Sequence, residues 1–185
     1  MKKYLFFLTI VSFSFLTLAP SLFASEVLKK EIGFYVDHAT ANVIGVCNEV
    51  ELEPIRIKAS KTGYSLGSPF QIKIPISKIT SGDEGRDAHI KEILGSPEYS
   101  LIQVKIESVT QEGEVYTVSG KLTIHGITKD FKSNLTVDKV EKDQIEVKGK
   151  TIARFSEYQL ENPSLLFLKA KDEIEIRYLF LIRSK

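Results

Sequence analysis

The side chains best equipped for chemistry in this 185-residue chain stand together at Arg86, Asp87 and His89. Three ionisable groups within four positions, at the start of an expected helix, could work as an acid-base pair with Asp87 orienting His89 as general base. The same helix start, with its unpaired N–H groups and positive dipole end, also favours an anion. No nucleophile, glycine-rich loop or paired acid motif stands near, so the structural role is favoured: Asp87 capping the helix, Arg86 and His89 tying the loop to its neighbours.

His38, His89 and His125 are enough in number for a zinc site, but none is paired at a short ligand spacing, and no metal or cofactor is expected. Cys47 is alone, so no internal disulfide forms and the fold must stand on packing; a small buried apolar role is the commoner fate for such a residue. The stretch Thr123–Thr128 is compact and reads as a tight strand-to-strand turn needing Gly126.

These groups have to be positioned by strands, because the dominant signal in the chain has period two. Ile55, Ile57 and Ala59 alternate with Arg56, Lys58 and Ser60, and Phe70, Ile72, Ile74 and Ile76 with Gln71, Lys73 and Pro75. The same pattern returns at Ile102–Glu107, Phe131–Val137, Ile145–Lys148 and Ile174–Arg177. Each run predicts a strand with one wet and one dry face. Turn signals at Thr62–Gly63, Glu112–Gly113, Lys142–Asp143 and Asn162–Pro163 predict hairpin connections. About eight strands joined in this way favour a closed barrel or a sandwich. One segment departs: Ile90, Ile93 and Leu94 share a helical face over Asp87–Leu94, with Asp87 as N-cap and Gly95 as stop, which predicts a single short helix lying across an open end.

Lys2 and Lys3, the apolar run Tyr4–Ala19 and the small Ala24 have the layout of a cleavable secretory signal peptide over residues 1–24. The remaining 161 residues, 25–185, make one domain. With Lys2 and Lys3 set aside, 23 Lys and Arg face 24 Asp and Glu. That balance argues against a nucleic-acid or anionic-membrane partner. A periplasmic or secreted location is expected, without stable membrane insertion once the leader is removed, and a homodimer is left open. The many aromatics exceed what a small core demands and permit a greasy pocket.

Two stretches together resemble the YceI-like polyisoprenoid-binding family. Tyr116–Lys129, reading YTVSGKLTIHGITK, is similar to its signature strand pair, and Ser81–Ile90, reading SGDEGRDAHI, to its Thr-Gly-Asn-x-x-Arg-Asp-x-His-Leu element. Phe34, Val36, His38 and Gly45 fall where the family carries Phe-x-Val-x-His and a following glycine. Val104 replaces a family phenylalanine, and only Val27–Glu31 precedes the match, so a short first strand is expected.

The resemblance implies an all-β fold, a lipocalin-like eight-stranded antiparallel barrel with one short helix near an open end. It also implies a non-enzymatic binding or carrier role for a long-chain isoprenoid or isoprenoid-quinone-like lipid. On that reading Phe34, Val36, Phe70, Ile72, Ile74, Ile102, Val104 and Phe131 line the interior, while Arg86 and His89 stand at its mouth. Two alternatives are carried beside it: a hydrolase or isomerase on a lipid-like substrate through Asp87 and His89, and a structural or stress-response module whose core is filled.

Overall fold

The computed structural model describes residues 24–165 and 168–183; the expected leader, apart from Ala24, lies outside the described residues. Strands follow one another as β1 (Glu26–His38), β2 (Val43–Cys47), β3 (Glu51–Leu52), β4 (Ile57–Ala59), β5 (Tyr64–Leu66) and β6 (Phe70–Pro75). After the helix α1 (Glu84–Ile93) come β7 (Leu101–Glu112), β8 (Val115–Ile124), β9 (Ile127–Glu141), β10 (Gln144–Arg154), β11 (Ser164–Leu165) and β12 (Leu168–Arg183).

The main sheet is antiparallel, in the order β2-β1-β12-β10-β9-β8-β7-β6-β3, with β11 beside β12 and with β4 and β5 forming a separate hairpin. It curls around one apolar interior as a half-barrel of the lipocalin-like kind. Ten strands rather than eight are counted because β3 and β11 are two-residue pieces. Its two ends approach where Val46 and Thr80 exchange backbone hydrogen bonds of 2.8 and 3.0 Å.

β8 displays the folding rule of the wall: Tyr116, Val118, Gly120, Leu122 and Ile124 are all buried, and the residues between them face out. The outer face is polar and laced with cross-strand ion pairs such as Lys121–Asp130 at 2.6 Å and Lys150–Glu175 at 2.9 Å. Exposed pairs of this kind contribute little stability, so burial of the inner face holds the sheet. The β8–β9 turn is the tight one expected: His125 and Gly126 both adopt positive φ, 51° and 73°, the geometry a two-residue hairpin needs to match strand twist.

Two expectations are corrected. The first strand is not short: β1 has 13 residues and pairs along its length with β12. A bulge between Val27 and Lys29 swaps its inner and outer faces, which breaks the alternation in the sequence. The helix also starts earlier than expected, at Glu84. Its N-cap is Asp83, which accepts a hydrogen bond from the Arg86 amide at 2.8 Å. Asp87 instead turns back to the preceding loop, accepting from the Thr80 hydroxyl at 2.7 Å and from the Ser81 amide and hydroxyl at 2.6 and 2.5 Å.

The hairpin β4–β5 and the helix α1 cap opposite ends of the barrel. Tyr116, at the start of β8, accepts a hydrogen bond from the Tyr64 amide of the hairpin at 3.1 Å. His125, at the far end of β8, packs edge-on against Tyr99 just beyond the helix, with ring centroids 4.7 Å apart. Nine residue steps of extended strand separate the two, about 30 Å.

Candidate functional site

Inside the barrel lies a cavity of about 200 Å³. An apolar void of about 150 Å³ is already large enough to stay dry and take up a small hydrocarbon. Its wall runs from Ile57 and Leu66 of the hairpin, past Tyr116 and Val118, to Leu122, Ile124 and Thr151, and no charged side chain takes part in it. It is apolar for the reason the sheet exists: the inner faces of ten strands converge there.

Of the residues read from the sequence as lining the interior, Phe34, Phe70, Ile72, Ile74, Ile102, Val104 and Phe131 stand in this wall. Val36 does not. It is buried in a second cluster with Leu122, Ile124, Ala153, Phe155, Tyr158, Leu160 and Ala170, against which Ile93 and Leu94 of the helix pack. This cluster fills the helix end of the barrel. Arg86 and His89 lie exposed on the first turns of α1 and outside the cavity wall; His89 sits 3.5 Å from Glu92. Asp87 and His89 make no hydrogen bond to each other. The hydroxyls of Ser81 and Thr80 and the Ser81 amide hold the Asp87 carboxyl down to a pKa of about 2.

The two remaining histidines have local tasks. His38 donates from Nε2 to the Leu168 carbonyl at 3.1 Å and accepts at Nδ1 from Thr40, while His125 packs on Tyr99. Cys47 is buried in the cavity wall, and burial pushes its thiol pKa up, away from a reactive thiolate.

Residues that the alternation did not single out supply the few polar groups of the interior. Ser133 is buried and donates to the Lys150 carbonyl at 2.6 Å, so the Tyr178 hydroxyl, 2.9 Å away, donates to Ser133 and keeps only acceptor capacity. Burial raises the pKa of Tyr178, which therefore stays neutral. Tyr178 reaches Ser133 by lying over Gly149, where a β-carbon would meet its hydroxyl. Tyr116 is the complement: its oxygen accepts from Tyr64, and its own proton meets no acceptor among the described residues. Both hydroxyls are engaged within the wall, and the surface that faces the cavity is almost wholly apolar. The sequence signal for this pair was a tyrosine on the dry face of a strand, readable only once the register was known.

The comparison that decides the family is with domain models: residues 26–180 match the YceI-like domain. The chain belongs to the YceI-like domain family. No curated protein matches it by sequence. Solved structures similar to this YceI-like domain include Burkholderia cenocepacia BcnA, at 15% identity over 82% of this chain and 95% of that one, TM-score 0.69. A polyisoprenoid-binding domain from Saccharophagus degradans, implicated in plant cell wall breakdown, is 13% identical over 88% and 99%, TM-score 0.65. A YceI protein from Campylobacter jejuni is 18% identical over 78% and 86%, TM-score 0.66. At these identities the likeness is one of fold.

Proposed function

We propose that this YceI-like domain is an exported, non-enzymatic carrier that holds a polyisoprenoid or isoprenoid-quinone-like lipid inside its barrel. The observation that carries the reading is the uncharged apolar cavity, walled by the inner faces of the strands. A hydrocarbon tail gains about 0.8 kcal/mol for each CH₂ taken out of water, so such a tunnel binds it without a charged anchor. The polyisoprenoid-binding name of the similar Saccharophagus degradans domain supports the choice of tail. Phe34, Phe70, Ile72, Ile74, Ile102, Val104 and Phe131 would grip the tail. The engagement of both Asp87 oxygens by Thr80 and Ser81 favours a structural role for that cluster over catalysis.

The test is organic extraction and mass spectrometry of the protein purified from the compartment to which it is exported. An apolar molecule in near-stoichiometric amount is expected. Protein that is folded, monodisperse and free of extractable lipid would end the proposal.

A further inference from the structure

One part of the cavity wall stands outside the main sheet. Between β3 and β6 the chain leaves the ladder, builds the β4–β5 hairpin as a sheet of its own, and returns. The excursion starts from a fixed base: the Glu53 amide donates to the Gln71 carbonyl at 3.0 Å, and the Gln71 amide to the Glu53 carboxylate at 2.8 Å. Beyond that base, residues 54–56 and 67–69 belong to no strand. There the Gly67 amide donates to the Arg56 carbonyl at 2.7 Å and draws the two stems together.

The hairpin gives the interior an apolar face and is held there by little. Ile57, Tyr64 and Leu66 line the cavity, each half-buried, above the buried Ile55. Among the described residues two hydrogen bonds tie residues 57–66 to the main sheet: the Tyr64 amide donates to the Tyr116 hydroxyl at 3.1 Å, and Gln111 Nε2 to the Thr62 carbonyl at 2.9 Å. Lys58 and Lys61 form no ion pair among the described residues. Gly63, with φ at 148°, rests on both ties, and a β-carbon there would collide with the Tyr116 hydroxyl and the Gln111 carboxamide. The other end of the barrel offers no such weak point, because Phe155, Tyr158 and Leu160 are buried in the cluster that fills it.

We propose that the β4–β5 hairpin is the gate of the cavity: it swings out about residues 54–56 and 67–69, parting Ile57, Tyr64 and Leu66 from β7 and β8, and shuts again on the Tyr116 and Gln111 ties. The proposal rests on the carrier reading and names how that site is opened. A few loop residues absorb the backbone change in a hinge of this kind while the packed elements stay rigid. Opening is then local, since it undoes two peripheral hydrogen bonds and a half-buried face and leaves the main sheet intact. A gate also has a kinetic signature. Loosening its ties speeds entry and exit by the same factor and leaves the closed site, and so the affinity, nearly as it was.

The test is stopped-flow fluorescence with N-phenyl-1-naphthylamine, an uncharged apolar dye, on the exported protein and on two variants outside the cavity wall, Gln111→Ala and Gly63→Ala. Both variants should take up and release the dye about tenfold faster than wild type, the change that follows the loss of roughly one hydrogen bond, with an almost unchanged dissociation constant. A third variant, Thr62→Cys/Gln111→Cys, is measured before and after its two thiols are joined by a bismaleimide, and joining should stop the exchange of dye. Wild-type protein, whose Cys47 is buried, is the control for the reagent. Joined protein that exchanges dye as fast as unjoined, or variants that release faster with uptake unchanged, overturns the gate and leaves the carrier reading standing. Wild-type protein that takes up no dye and yields no extractable lipid ends both.

Discussion

Val104 pairs with Ile72 on one side and Leu122 on the other, and its side chain ends in the cavity. A Val104→Phe substitution places a ring in that space. The amount of lipid extracted per protein should fall while melting temperature holds or rises, because a void is being filled rather than a packed core overfilled. Tyr116→Phe tests the tie between hairpin and barrel: it removes the oxygen that accepts from the Tyr64 amide, at about 0.5–1.5 kcal/mol for a lost hydrogen bond. Hydrogen exchange at Tyr64 should quicken more than exchange in the middle of β8. Asp87 is a matter of sign. Its carboxyl is held at about 2 in the fold against an ordinary 3.8, so its stabilisation is complete above about pH 4 and is lost as pH falls through 2. The melting deficit of Asp87→Asn relative to wild type should be constant near neutrality and close as the solution is acidified over that window.

At the scale of elements, β7 and β8 touch most closely at Gly120, where a β-carbon would run into the Lys105 carbonyl. Because the obstacle is backbone, Gly120→Ala must push the two strands apart; a loss of about 1–3 kcal/mol in a denaturant titration is expected. That glycine leaves a gap in the otherwise regular apolar row of β8, which was not among the alternating runs read from the sequence. The strands with apolar and charged residues in strict turn, such as β6 and β10, were legible from the sequence. The bulge of β1 hid a strand of 13 residues, and the cap read at Asp87 falls instead to Asp83, which is bonded to the Arg86 amide. The interior was legible in part for a geometric reason. Period two reveals which face a residue occupies but not its height along the barrel, so Val36 points inward and yet falls in the filled end. Nor does it reveal which end is open, and Arg86 and His89 were placed at a mouth on the strength of a helix alone.

Taken whole, the molecule is a tube with unlike ends. Phe155, Tyr158 and Leu160, with the helix residues Ile93 and Leu94 against them, plug one end, and a small separate hairpin covers the other. The plug has a consequence for the guest. A sleeve open at both ends accepts a thread of any length, whereas a sheath with a floor measures what is slid into it. A tail shorter than the depth of the sheath leaves empty space at the bottom, and one that is longer must double back or leave its last units outside. The polar end of the guest would then always be the last part in and the first part out.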